Sequence, residues 1–144
     1  MFKNLKKRSE GFTIIEVLIV LAIAGLIMLI VFLAVPALQR NQRNTTRNSD
    51  ATRWAAAVTE CLANRNGTVA SCNAAAQLNV GTLNTLTGFA LSGNGSVTGV
   101  GLTYNSGCSA DGSALGAGAS ARSFAIMYQL ENGSGAPIQR CIAG

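Results

Sequence analysis

The sequence predicts an α+β protein in which one long N-terminal helix packs, by its second half, against a small antiparallel β-sheet head. Two observations support this fold class. A nearly continuous apolar run fills residues 12–38, and the C-terminal half alternates short apolar stretches with Gly- and Asn-rich turns. A chain of 144 residues is long enough for one such domain. The apolar first half of the helix is predicted to cross a membrane.

The composition argues against catalysis. The chain has no histidine, so Ser-His and Cys-His catalytic pairs and imidazole metal ligands are excluded. Its four cysteines form no C-x-x-C pair, which makes a poor zinc signature. The acidic residues after the apolar run form no catalytic motif; they are Asp50, Glu60, Asp111 and Glu131. We therefore expect no enzyme activity, no catalytic residue, no cofactor and no metal.

The apolar run has the dimensions of a membrane span. Between residues 12 and 38 only four positions are not hydrophobic: Thr13, Glu16, Gly25 and Pro36. Residues 17–35 carry no charge, and at about 1.5 Å per residue this helix is about 28 Å long, close to the ~30 Å core of a bilayer. A buried core helix would need a larger surrounding domain. A secretory cut after Ala24 would leave a bare apolar N-terminus, so we reject it.

The flanks of the span predict its orientation. Four basic residues stand immediately before it: Lys3, Lys6, Lys7 and Arg8. Basic residues there hold the N-terminus in the cytoplasm, although four arginines on the far side weaken the charge bias. All the cysteines follow the span, and an even number in a small domain suits an oxidising compartment. The C-terminal part is therefore expected to be exported.

The stretch from Lys6 to Val20 closely resembles the N-terminal motif of type IV pilins and of type II secretion pseudopilins. The shared pattern is a basic leader, then Gly11, Phe12, Thr13, two apolar residues, Glu16 and a long apolar helix. The resemblance covers residues 1–38 and, less strictly, the helix to about residue 64. It implies that a membrane-embedded aspartyl prepilin peptidase removes the leader, residues 1–11, between Gly11 and Phe12, and methylates the new amine of Phe12. Residues 12–38 would then be the transmembrane and polymerisation helix.

The resemblance also implies an assembly role for Glu16. A carboxylate within a membrane helix costs about 2.5 to 3.5 kcal/mol, so it is normally paired or functional. After cleavage the Phe12 amine would be cationic one turn away. In the family, the matching glutamate pairs with the amine of a neighbouring subunit in the filament. Thr13 matches the assembly motif too, although a hydroxyl that bonds its own helix explains it equally well.

Gly25 and Pro36 are expected to interrupt the regular geometry of the helix. Proline removes one backbone hydrogen bond and clashes with the preceding turn, so a kink is expected at Pro36. The resemblance implies that the helix partly unwinds between a glycine and a proline on assembly. Gly25 falls at the usual position of that glycine, whereas Pro36 lies about one turn further along than the family's proline.

The exported half of the helix is predicted over residues 39–66. Apolar residues recur there at three- and four-residue intervals: Ala51, Trp54, Ala55, Val58, Cys61 and Leu62. Gly67 is predicted to end the helix. We interpret Trp54 as core. The only basic cluster of the exported part is Arg40, Arg43, Arg47 and Arg53. Contacts with lipid headgroups in the monomer and with polar or acidic groups of neighbours in a filament are favoured over DNA binding.

Residues 67–144 are predicted to form the small, disulfide-stapled β head. Strands are expected at Val100–Tyr104, Phe124–Leu130 and Ile138–Ile142, and a surface loop at Gly112–Ser120. Four cysteines allow three connectivities. We favour Cys61–Cys72, which ties the helix end to the next loop, and Cys108–Cys141, which resembles the C-terminal disulfide loop of many pilins.

These observations predict a structural subunit of a type IV pilus-like surface filament, with adhesion or motility among the roles that the resemblance implies. Its partners would be copies of itself, the prepilin peptidase, the assembly platform with its motor proteins, and membrane lipid before assembly. It would begin as a single-pass precursor in the cytoplasmic membrane and end in an extracellular filament. The alternatives are a pseudopilin of a type II secretion system and a non-polymerising, single-pass anchored protein that binds a surface ligand.

Overall fold

The computed structural model describes residues 11–91, 93–118 and 120–144. Its first element is a helix, α1, at Ile14–Asn64. The helix ends where Asn66 and Gly67 adopt positive φ angles of 53° and 76°, and the Gly67 N–H donates to the Leu62 carbonyl at 2.7 Å. This left-handed turn satisfies a terminal carbonyl of the helix. The prediction that Gly67 stops the helix is confirmed.

The described chain divides into two compact units, one that ends at Ala37 and one at Leu38–Gly144. We call them the apolar unit (residues 11–37) and the folded unit. In the apolar unit every residue is exposed, and helical conformation continues through Gly25 and Pro36. Helix α1 contains an 18-residue window that is long and apolar enough to cross a membrane, and none of that window is buried.

The folded unit contains the rest of α1 and all the strands. Two short 3-10 helices follow α1, at Val69–Ser71 and Ala75–Gln77. The strands are β1 Gly88–Leu91, β2 Gly99–Tyr104, β3 Ser106–Cys108, β4 Leu115–Ala117, β5 Phe124–Leu130 and β6 Ile138–Ala143. Strands β2, β5 and β6 are the three that the sequence predicted.

The strands form two sheets. The larger has the order β1-β2-β5-β6, and the smaller pairs β3 with β4. Strand β5 is antiparallel to β2 and to β6, with Ile126 opposite Leu102 on one side and Ile142 on the other. The predicted α+β fold is confirmed. The larger sheet is mixed rather than purely antiparallel, because β1 runs parallel to β2.

Strand β1 can run parallel to β2 because it is short. The connection between them has to bring the chain back only by the length of β1. At about 3.3 Å per residue, β1 is only about 13 Å long, a distance that the seven residues 92–98 easily cover. The return passes close to the sheet backbone. A Cβ on Gly101 would lie 2.1 Å from the Gly93 carbonyl oxygen, and one on Gly95 would lie 2.0 Å from that of Met127. Only glycine permits this approach.

The core of the folded unit lies between α1 and the larger sheet. Trp54 is 2% exposed, and its ring stacks on Phe89 of β1 with centroids 5.2 Å apart. The predicted apolar stripe of α1 supplies most of the helix side of this core: Ala51, Trp54, Val58, Cys61 and Leu62 are buried, and Ala55 is partly buried against them. The prediction that Trp54 is a core residue is confirmed.

Two disulfides join the folded unit, Cys61 to Cys72 and Cys108 to Cys141. This is the pairing that we favoured from the sequence. The expectation of an irregular loop at Gly112–Ser120 was wrong in one respect. Residues Leu115–Ala117 of that stretch form β4, because Gly107 and Gly116 let the two strands of the small sheet pair closely.

Candidate processing and assembly site

The predicted cleavage bond lies in an exposed, non-helical segment. Gly11, Phe12 and Thr13 precede α1 without regular secondary structure, and Phe12 is 89% exposed. Among the described residues, no atom lies within 4 Å of the position that a Cβ on Gly11 would take. A protease that reads an extended backbone would find this bond accessible. The predicted basic leader residues, Lys3 to Arg8, lie outside the described residues.

Thr13 and Glu16 cap the start of α1 reciprocally. The backbone N–H and the hydroxyl of Thr13 each donate to Glu16 Oε2 at 2.8 Å, and the Glu16 N–H faces Thr13 Oγ1 at 3.4 Å. This is a capping box, which satisfies backbone donors that the first turn leaves open. The sequence carried the signal, because Thr13-Ile14-Ile15-Glu16 has the S/T-x-x-E form. The alternative reading of Thr13, a hydroxyl that bonds its own helix, describes this geometry.

Phe12, Glu16 and Val20 lie at four-residue intervals and border one shallow groove together with Val17 and Leu21. Residues 11–37 contain no Lys or Arg, so no basic side chain in this range can pair with Glu16. Its carboxylate is therefore a lone negative charge at the end of an apolar surface, and a positive group brought there would be strongly favoured in apolar surroundings.

A second polar site lies in the folded unit, where α1 meets the end of β5. Arg43 Nε donates to Glu131 Oε1 at 2.9 Å and to Oε2 at 3.0 Å. Arg43 Nη2 donates to Glu131 Oε2 at 2.6 Å. Arg47 Nη2 donates to Glu131 Oε1 at 2.6 Å. We call these three residues the arginine–glutamate cluster. The hydrogen bond from Arg43 and the charge of Arg47 lower the pKa of Glu131 below 4.5.

Amide side chains reinforce this contact. Asn44 Nδ2 donates to the Glu131 carbonyl at 2.9 Å, and Asn44 Oδ1 accepts from the Glu131 N–H at 2.8 Å. One turn later, the Tyr128 hydroxyl donates to Asn48 Oδ1 at 2.8 Å. Burial raises the pKa of Tyr128, which keeps this donor protonated. Polar residues of α1 thus attach the helix to β5 below the apolar core.

The basic cluster predicted from the sequence is mostly engaged within the chain. The acidic partner of Arg43 and Arg47 is Glu131 of the same chain, where we expected groups of neighbouring subunits. Arg53 donates to the Thr82 carbonyl. These three arginines therefore have partners within the chain, and contact of the cluster with lipid or with neighbouring subunits stays a prediction. Among the four, only Arg40 has no side-chain hydrogen bond or ion pair within the described parts of the chain.

Asp50 is a second residue whose role the sequence did not indicate. It is 1% exposed, and its Oδ2 accepts from the backbone N–H groups of Asn84, Thr85 and Leu86 at 3.1, 2.7 and 3.2 Å and from the Thr85 hydroxyl at 2.8 Å. Burial acts against ionisation, but the bonds from Thr85, Leu86 and Asn84 outweigh it and lower the pKa of Asp50 below 3.8. Asp50 therefore fixes the loop that leads into β1.

Asp111 stabilises a turn. The Ser109 and Ser113 hydroxyls donate to Asp111 and lower its pKa to about 2, which organises the turn between β3 and β4. Within residues 11–91, 93–118 and 120–144, no group of three His, Cys, Asp or Glu side chains could hold a metal ion. The absence of catalysis and of cofactors stays a prediction.

An exposed Gly-Phe-Thr-x-x-Glu sequence at the start of an unburied apolar helix resembles the processing site of prepilin-like proteins. In agreement, the family described as the prokaryotic N-terminal methylation motif matches residues 6–32. The chain therefore carries a type IV prepilin-like leader, which fits a membrane-anchored precursor. No curated protein and no solved structure matches the chain. The division into leader, membrane helix, exported helix and head, and the roles of Gly11, Phe12, Glu16, Gly25 and Pro36, stay predictions.

Proposed function

We propose that this protein is a structural subunit of a type IV pilus-like filament. A prepilin peptidase cuts the precursor between Gly11 and Phe12 and methylates the Phe12 amine. The mature subunit then leaves the membrane and polymerises through residues 12–38, with its C-terminal part outside the cell. Its role is assembly rather than catalysis.

The observation that carries this proposal is an unburied apolar helix directly behind a prepilin-like leader. From Phe12 to Leu38 the large hydrophobic side chains are exposed, several of them by more than half. A surface of this kind marks a membrane or protein contact, because water would otherwise oppose its exposure. Lipid satisfies it in the precursor, and the same helix of neighbouring copies satisfies it in the filament.

Charge supports the same assembly step. Cleavage after Gly11 makes Phe12 the new N-terminus, where its amine is cationic at neutral pH. Glu16 lies one turn further on, and residues 12–37 contain no Lys or Arg side chain to pair with it. An unpaired charge in an apolar filament core is costly, so Glu16 of an entering subunit pairs with the Phe12 amine of the subunit before it. This pairing sets the stagger between neighbours.

The mature N-terminus tests the processing step. We expect protein recovered from its native host to lack residues 1–11 and to begin at a singly methylated Phe12, as measured by mass spectrometry of its N-terminal peptide. The same host without its prepilin peptidase should yield chains that keep the leader. A chain that begins at Met1 in cells with an intact secretion apparatus would overturn the proposal.

Filament yield tests the assembly step. Glu16→Ala should be cleaved normally but should give few or no filaments in the fraction sheared from the cell surface. Glu60→Ala is the matched control, because Glu60 is an exposed glutamate of the same helix in the folded unit. Normal filaments from Glu16→Ala would remove Glu16 from the mechanism. Filaments that stay beneath the cell surface in wild-type cells would point to a secretion pseudopilus instead.

A further inference from the structure

A small cleft of about 150 Å³ opens in the folded unit beside Arg40. It is lined by Arg40, Val97, Glu131, Asn132, Gly135 and Pro137. Arg40 reaches the turn between β5 and β6, since its Nη2 lies 4.0 Å from the position that a Cβ on Gly133 would take. A cavity needs only about 10–15 Å³ of solvent-accessible space to hold one water, so the cleft has room for a small polar group.

Arg40 differs from the arginines that follow it on α1. Arg43 and Arg47 are bound to Glu131, whereas Arg40 is partly buried and makes no side-chain hydrogen bond or ion pair with any residue that the structure describes. A guanidinium has five donors and keeps its charge at any ordinary pH. Three arginines and one carboxylate leave a local charge of +2, so an anion is favoured in this cleft.

The position of Arg40 along the chain indicates where its ligand comes from. Residues 17–39 carry no charge, and Arg40 is the first charged residue after Glu16. It stands two residues after Leu38, the last residue of the apolar run. An arginine there reaches the headgroup layer when the apolar run spans a bilayer.

We propose that the cleft binds the phosphate of an anionic phospholipid headgroup in the membrane-anchored precursor. The guanidinium of Arg40 matches two phosphate oxygens in a bidentate contact, and the side-chain amide of Asn132 supplies a further donor. The charge of Glu131 is compensated by Arg43 and Arg47 and does not repel the phosphate. The proposal rests on the membrane stage of the proposed function and does not depend on cleavage or on filament formation.

The test uses the full, uncleaved chain in detergent micelles, with nuclear magnetic resonance of Arg40 Nε and of the Gly133 and Gly135 amides. Short-chain phosphatidylglycerol, short-chain phosphatidylcholine and inorganic phosphate are titrated separately. We expect saturable shifts at these three groups with phosphatidylglycerol, and about fivefold weaker binding in Arg40→Gln. Arg65→Gln is the matched control, because Arg65 is an exposed arginine one residue after α1 that loses the same charge.

The outcomes separate the possible ligands. Binding that Arg40→Gln weakens and Arg65→Gln leaves intact supports the site. Equal losses in both variants would show attraction by net charge alone and would overturn it. Inorganic phosphate that binds as tightly as phosphatidylglycerol would reassign the cleft to soluble anions and overturn the lipid proposal. Unchanged Trp54 fluorescence in each variant shows that the fold is intact.

Discussion

The two halves of α1 have the same backbone conformation and opposite surroundings. Phe32 in the apolar unit is 76% exposed, whereas Trp54 in the folded unit is 2% exposed and stacks on Phe89. Both are aromatic residues of one continuous helix. The second half finds its apolar partners within the chain, and the first half requires partners from outside it.

The two halves of the helix therefore have different roles. The folded unit closes its own core with a sheet, two disulfides and buried polar contacts, so its stability belongs to the monomer. The apolar unit contributes little to that stability. Burial of its apolar side chains is favourable, but it occurs only on contact with lipid or with other copies of the chain. Substitutions in the two halves should therefore affect different measurements.

The largest expected effect comes from one aromatic truncation in each half. Trp54→Ala should lower the free energy of unfolding of the folded unit by about 3 to 5 kcal/mol, because it removes a large buried side chain and leaves a cavity. Phe32→Ala should leave that free energy unchanged and instead reduce filament yield. Hydrogen exchange of the β5 amides in mild detergent measures the first quantity, and sheared filaments measure the second.

The comparison between the halves would fail if Phe32→Ala destabilised β5 as much as Trp54→Ala does. That result would mean that the apolar unit contributes to the core of the folded unit. Phe32→Leu serves as the conservative control, since it keeps an apolar side chain at the same exposed position and should preserve filament yield better than Phe32→Ala.

Sequence patterns predicted the helix and the strands whose apolar residues recur with a clear period. The α1 stripe around Trp54 and the alternation along Phe124–Leu130 are of this kind, and both form the core. Strand β1 was missed because its four residues offer only Phe89 as a partly buried position. Its parallel pairing depends on the approach of Gly93 to Gly101, which is a tertiary contact with no local signal.

The polar contacts of the site were predictable only where they are local. The capping box joins residues three apart and has a recognised sequence form. Glu131 and Asp50 looked isolated because their partners lie far away in sequence, at Arg43 and Thr85. A charge contact across more than thirty residues is created by the fold, so no spacing rule reveals it.

The pH dependence of stability distinguishes the buried carboxylate of the folded unit. Asp50→Asn should cost about 3 kcal/mol near neutral pH, because the charge that strengthens the four hydrogen bonds to Oδ2 is lost and the amide NH2 is buried without an acceptor at the position of Oδ1. The pKa of Asp50 is lowered in the fold, so its contribution is present above 3.8 and is lost as the pH falls below that value.

The difference between wild type and Asp50→Asn should therefore shrink as the pH falls from 5 toward 2, as measured by urea unfolding in mild detergent with Trp54 fluorescence. Glu131 and Asp111 also titrate at acidic pH, but they do so in both proteins and cancel in the difference. A constant difference across this pH range would show that Asp50 acts by packing rather than by charge.

A smaller effect is expected from the arginine–glutamate cluster. Glu131→Gln should lower the free energy of unfolding by about 2 kcal/mol, because Arg47 is buried and loses its charged partner. Nε and Nη1 of Arg47 have no hydrogen-bond partner within the described parts of the chain, so its Nη2 contact with Glu131 is the one that compensates the charge. Glu60→Gln is the matched control and should be neutral, since no ion pair of Glu60 is seen among the described residues. Equal effects would show that the cluster adds nothing beyond surface charge.

The smallest effect is expected at the capping box, the one local polar structure of the apolar unit. Thr13→Val keeps the shape of the side chain but removes the hydroxyl that bonds Glu16, so the first turn of α1 should fray and its amides should exchange about fivefold faster. Thr13→Ser retains the hydroxyl and should exchange like wild type. Neither variant should alter exchange in β5, because the apolar unit does not stabilise the folded unit. If Thr13→Val raised exchange in both places, the two halves of the helix would have to be treated as one cooperative structure.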